Sequence, residues 1–204
     1  MTDKQDRPSA PGSPGSQEPL GAPPGGSPPP AAPVETEVVA YAEDCRISGR
    51  LELSGDRLTD TLSRQDRFVL RDASVEALAD GRMIAAGEVP VTRDELLAVH
   101  AAGPSGNPSR HLHTRRYPVV VRSGPYVIRG YMHTPPAVRP EESTKRRVML
   151  PLSDAWVEYM VGGMVQRSPV GTIVVNRNVA DSVDFASDED VVPPAAGPGA
   201  GMAR

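Results

Sequence analysis

One stretch is written twice in this chain, and it constrains the fold more than anything else in it. The first copy reads Phe68-Val-Leu-Arg-Asp-Ala-Ser-Val-Glu76, the second Leu150-Pro-Leu-Ser-Asp-Ala-Trp-Val-Glu158. In both, an apolar lead-in runs into Leu-x-Asp-Ala-x-Val-Glu, with a glycine after a short gap (Gly81, Gly163). Around it other pieces recur. Tyr126-Val-Ile-Arg-Gly130 retraces Cys45-Arg-Ile-Ser-Gly49, Ile173-Val-Val-Asn-Arg177 retraces Val89-Pro-Val-Thr-Arg93, and Val183 matches Val99. The offset grows from 81 residues at the Ile-x-Gly to 82 at the Asp-Ala and 84 at the Arg, a drift that differing loop lengths explain. An internal duplication follows, with repeats at 35–102 and 117–185.

Each repeat carries strand signals. Val38–Tyr41 and Arg46–Leu53 read as strands joined at Glu43-Asp44. In the second of these, Ile47, Gly49, Leu51 and Leu53 share a face while Arg46, Ser48, Arg50 and Glu52 take the other, the period of a half-buried strand. Leu58 and Leu62, four apart behind candidate N-caps, predict a short surface helix. The counterpart Thr134-Pro-Pro-Ala-Val-Arg-Pro140 cannot be helical throughout. Met83–Val91 is a fourth strand, bent or at an edge because of Gly87 and Pro90. Thr92-Arg-Asp-Glu95 matches a capping box, so a helical end competes with a short fifth strand. Within the doubled stretch strict alternation fails between Leu70 and Ala73, and between Leu152 and Ala155. One extra residue at Asp72 and at Asp154 restores a common apolar face, which is the effect of a β-bulge and favours a tightly curved sheet.

An Ile-x-Gly-x-Leu strand followed by a Leu-x-Asp-Ala-x-Val-Glu strand, within five short strands, resembles the Sm-like small β-barrel and, in tandem, several uncharacterised bacterial small-barrel families. The residues concerned are Ile47–Leu51 with Val69–Glu76, and Ile128–Gly130 with Pro151–Glu158. The resemblance implies an all-β fold with minor α: two tandem homologous five-stranded Sm-like or SH3-like barrels with short helices. The connection from Leu51 to Phe68 is longer than that family's. Its Arg-Gly signature is incomplete here, since Asp94 follows Arg93 and Asn178 follows Arg177, so the family's RNA binding does not carry over.

Composition sets the rest. Of 204 residues 23 are proline and 19 glycine, concentrated at the ends. Residues 1–34 and 186–204 therefore read as disordered tails and 103–116 as a linker, because they hold too little apolar surface to offset ordering entropy. The single cysteine, Cys45, excludes an intramolecular disulfide framework and fits a reducing, cytoplasmic setting. No export signal or membrane span is found. A net charge of −4 gives no general argument for a polyanion partner.

Candidate chemistry is sparse. Asp72 with Glu76, and Asp154 with Glu158, stand four apart on a strand, about 13 Å, too far to share a proton or metal. His111 and His113 form an H-x-H, with His100 and His133 elsewhere, but without a Cys or carboxylate cluster these read as solvated histidines. No metal, cofactor or catalytic residue is assigned, and an enzyme is the least supported class. Trp156 falls on the face opposite Ala155 and Val157, and with Tyr126 and Tyr159 it is a candidate contact for a protein partner or the other repeat. Arg115, Arg116, Arg129, Arg146 and Arg147 make the second repeat locally basic and are the candidate nucleic-acid contacts. The expectation is a non-enzymatic cytoplasmic binding or scaffold protein, self-association left open, with RNA or single-stranded DNA binding as the alternative.

Overall fold

The computed structural model describes residues 34–55, 57–101 and 114–192. Most of the N-terminal tail, the linker from 102 to 113 with His111 and His113, and the last twelve residues lie outside them. Ten strands follow in chain order: β1 (Val34–Tyr41), β2 (Cys45–Leu53), β3 (Arg67–Ala77), β4 (Met83–Thr92), β5 (Ala98–Ala101), β6 (Arg115–Ser123), β7 (Tyr126–Thr134), β8 (Met149–Val161), β9 (Met164–Asn176) and β10 (Ser182–Phe185). Short helices α1 (Leu58–Arg64) and α2 (Pro140–Arg146) join the second and third strand of each half, and α3 (Asp188–Val191) follows β10. Arg115 and Arg116, placed in the linker by composition, are the first residues of β6.

The strands form one antiparallel sheet in the order β10-β6-β7-β8-β9-β5-β1-β2-β3-β4. Each half has the same internal order, its fifth strand beside its first and its fourth at the far side. The two closed five-stranded barrels expected from the sequence do not appear as closed units. Within the first half β5 pairs with β1 and then with β9 of the second half, not with β4. A strand has two hydrogen-bonding edges, so the pairing of β5 with β9 uses the edge that closure would need.

The doubled stretch lies on β3 and β8. The register of β3 on β4 shifts between Leu70 and Ala73, and that of β8 on β9 between Leu152 and Ala155. Asp72 and Asp154 sit there with φ of +48°, the left-handed region that short polar side chains tolerate better than most. The extra residue turns Ala73 and Ala155 inward beside Leu70 and Leu152, and all four are buried. Gly49 and Gly130 cross against these bends. A Cβ on Gly49 would lie 3.0 Å from the Arg71 carbonyl oxygen, and one on Gly130 3.0 Å from that of Ser153. Only glycine lets the backbones approach so closely.

Burial is organised in two clusters that reach across the halves. The first-half cluster contains Val38, Ile47, Leu51, Leu62, Phe68, Leu70 and Val99, with Met149 and Val174 from the second half. The second-half cluster contains Val121, Ile128, Leu150, Leu152, Val157 and Ile173, with Tyr41, Leu78, Leu97 and Ala98 from the first. Helix α1 forms where the leucine spacing predicts it, with Ser63 and Arg64 exposed. Leu62 is fully buried, and the helix packs on β8 of the other half. Helix α2 opens with Pro140 at its first position, where a missing N–H costs nothing, and carries Glu141 and Glu142 early and Lys145 and Arg146 late, as the helix dipole favours.

Candidate functional surfaces

A cluster of aromatic and polar side chains lies between the halves. Tyr41, Tyr126 and Tyr159 pack with ring centroids 5.1 to 6.3 Å apart. The Tyr126 hydroxyl donates to the Cys45 carbonyl at 3.1 Å, joining β7 to β2. Arg46 donates to the Tyr159 hydroxyl and lies 3.1 Å from Glu76. Tyr41 meets Nδ1 of His100 at 3.1 Å. Burial pushes all three phenols above their usual range, and pushes His100 down to about 4, with the Arg46 charge adding to the latter. The arrangement fastens one half to the other. Tyr126 and Tyr159, candidate partner contacts from the sequence, are buried in it.

Trp156 is buried as well. Its side chain lies on the face away from the second-half cluster, but α3 covers it: Nε1 donates to the Val191 carbonyl at 2.8 Å, and Val191 packs on Val120 and Tyr131. Residues 186–191, assigned to the C-terminal tail by composition, continue onto the sheet. Composition missed them because one valine anchors the whole turn. The capping pattern Ser187-Asp-Glu-Asp190, with the Asp190 carboxylate accepting from the Ser187 backbone at 3.0 Å, is the local signal that marks it.

The five arginines named from the sequence do not form one free patch. Arg116 lies 3.5 Å over the Tyr131 ring and 3.1 Å from Asp154. Arg129 lies 5.1 Å over Trp156 beside the α3 segment, where its charge helps hold Asp190 below the usual carboxylate range after the Ser187 hydrogen bonds. Arg146 pairs with Glu142 within α2. Arg115 and Arg147 are exposed.

The paired carboxylates are separately engaged. Asp72 pairs with Arg50, Glu76 with Arg46, Asp154 with Arg116 and Glu158 with Arg167. His133 Nε2 lies 2.7 Å from the Ser153 hydroxyl. Burial, with a smaller contribution from Asp44, pushes the Cys45 thiol up to about 11, away from thiolate chemistry. No group of three or more metal-ligating side chains occurs among the described residues. No helix among them is long and apolar enough to cross a membrane.

Two surface features had no sequence signal strong enough to single them out. An open groove of about 640 Å³ lies across the ends of β2, β3 and β4, lined by Leu51, Phe68, Val69, Pro90 and Val91 together with polar residues that include Glu52, Arg71 and Glu95. The second lies where the β3–β4 and β8–β9 hairpins end side by side. The Gly162 N–H donates to the Leu78 carbonyl at 2.9 Å, bringing the two turns into contact. On these tips Met83, Ile84, Met160, Met164 and Val165 are each more than half exposed. Lone exposed apolar residues are ordinary, whereas five on two touching turns are not.

Fold and surfaces together define an antiparallel all-β protein with a fastened pair of similar halves. Comparison with protein-family models, curated proteins and solved structures finds no match to the chain.

Proposed function

We propose that the chain is a non-enzymatic binding protein, made from a duplicated small-barrel unit of Sm-like kind, whose partner is a protein met at the joined hairpin tips. The apolar tips carry this reading. Methionine is flexible and polarisable, so exposed Met83, Met160 and Met164, with Ile84 and Val165 beside them on the same hairpin ends, can repack around a partner's apolar side chains. The shared strand order of the halves and the repeated bulge support the duplicated-unit reading, and a cytoplasmic setting fits the single cysteine.

Site-specific photocrosslinking tests the assignment. A photoreactive residue placed at Met164 or Ile84 in the native host is expected to give adducts of discrete mass. The same residue at Arg122, an exposed position beside Asp184 on the opposite edge, gives none. Equal labelling at all three positions, or none at the tips, would sink the tip assignment. Salt-sensitive retention of the wild-type chain on single-stranded RNA or DNA would favour the nucleic-acid alternative instead.

A further inference from the structure

The outer faces of the two halves differ at matching positions. In the first half the face holds an ionic lattice: Arg50 pairs with Glu35 and Asp72, and Arg71 pairs with Glu35 and Glu52. Register places Tyr131 where the first half has Arg50, Trp156 where it has Ser74, and Arg129 where it has Ser48. The second-half face is therefore two aromatic rings with Arg116 and Arg129 stacked over them. Such a face is occupied in cis by the segment Ser187–Val191.

We propose that this face is a docking site for a short acidic peptide segment of a partner protein, anchored by a branched apolar residue, and that residues 187–191 hold it closed. The proposal goes beyond the hairpin-tip reading and does not depend on it. Three observations carry it. The occupying helix has four residues, too few to be stable alone, so it is held by the face it covers. Its contacts are those a peptide makes: the Val191 side chain seated at 1% exposure on Val120 and Tyr131, and its carbonyl taken by the Trp156 indole. Its first turn carries three consecutive exposed carboxylates, Asp188, Glu189 and Asp190, and the last of them, bonded to Ser187, also feels the charge of Arg129 on this face. A segment in trans with the same pattern meets the same partners.

Trp156 is the only tryptophan in the chain, so its fluorescence reads this face directly. In the full chain, Val191→Asp removes the anchor. Its emission is expected to shift to the red, with at least twofold greater acrylamide quenching. A synthetic peptide of residues 186–192 should then reverse both saturably, binding at least tenfold tighter than to the wild-type chain, whose face is already filled. Peptides with Val191→Asp, or with Asp188, Glu189 and Asp190 changed to Ser, should bind at least tenfold more weakly. Should Val191→Asp lose cooperative unfolding, Val191→Ser is read in the same way. Unchanged emission in a folded variant would show that α3 is not the cover, and overturns the proposal. So does a peptide that fails to reverse the shift. Reversal by oligouridine but not by the peptide also overturns it, and makes the face a nucleic-acid surface.

Discussion

The place where the two halves join and the two ends where the sheet stops are built on matching positions, and they differ in chemistry. At the junction β5 pairs with β9, and the Asn176 N–H reaches the Leu97 carbonyl at 2.9 Å. Backbone groups two residues apart on a strand point the same way, so Val174 also turns its N–H toward β5, opposite Val99. On β4 the residues in register with Val174 and Asn176 are Pro90 and Thr92. Pro90 has no N–H, and the Thr92 N–H donates to the Glu95 carboxylate at 2.7 Å. Both outward donors that make the junction are thus missing or spent on the free edge, the usual defence of an edge strand.

The other components follow the same division. Leu62 of α1 is fully buried at the junction, and its counterpart on α2 is Thr144, whose hydroxyl turns back to the Pro140 carbonyl at 2.9 Å. Met149 and Val174, sealed into the first-half cluster, correspond to exposed Arg67 and Pro90 beside the open groove. His100 on β5 corresponds to Asp184 on β10, exposed and paired with Arg122. A surface that could repeat the junction with another copy has been made polar or has lost its donors. The lesson is that the same strand order can serve as a joint or as a terminus, depending on a handful of residues.

The comparison breaks most visibly at Leu62. Leu62→Ala should cost about 3 kcal/mol in denaturant unfolding, the range for a fully buried leucine, and Thr144→Ala only about 1 kcal/mol, for one lost hydrogen bond. Equal losses would mean that α1 is not a junction element. A second test asks whether the halves are alike where they should be. Gly49→Ala and Gly130→Ala each force a Cβ against a carbonyl at the bulge, so each should lower stability by about 2 kcal/mol. A large loss at one and none at the other would separate the halves.

His100 supplies a pH test. Its folded pKa is below its ordinary value, so the folded state disfavours the proton. The stability it contributes is complete above about pH 6.5 and is lost as the pH falls toward about 4. The loss should approach about 2 kcal/mol after discounting for partial exposure. Comparing thermal unfolding at pH 7 and 4.5 in the wild type and in His100→Gln isolates it, since the variant should show a flatter profile. Glu95→Ala, which frees the Thr92 N–H, is the smallest effect, about 1 kcal/mol or less, visible as faster hydrogen exchange at Thr92.

Local pattern carried the strands well and their assembly poorly. Alternation along Ile47, Leu51 and the interrupted Leu70–Ala73 step is written in side-chain period, and a register shift needs only one extra residue. Which strand β5 pairs with is not written locally. Its partner β9 lies more than 70 residues further along the chain, and edge choice depends on groups that the pattern of β5 itself does not contain. At the sites the division is similar. Parity put Trp156 opposite Ala155 and Val157, but the helix that covers it depends on the anchor Val191 in a short, otherwise acidic segment. Tyr126 and Tyr159 were legible as aromatic residues able to contact something. That the other half fills this role rests on Arg46 and Cys45, more than 80 residues earlier.

The most direct test is the mass of the wild-type chain in solution, by light scattering across a wide concentration range. If Pro90, Glu95 and Thr144 terminate the sheet, the chain stays at its monomer mass of 21.7 kDa throughout. A stable multiple of that mass, abolished by substitutions on β10 or along β4, would show that the junction repeats between copies and would contradict the account.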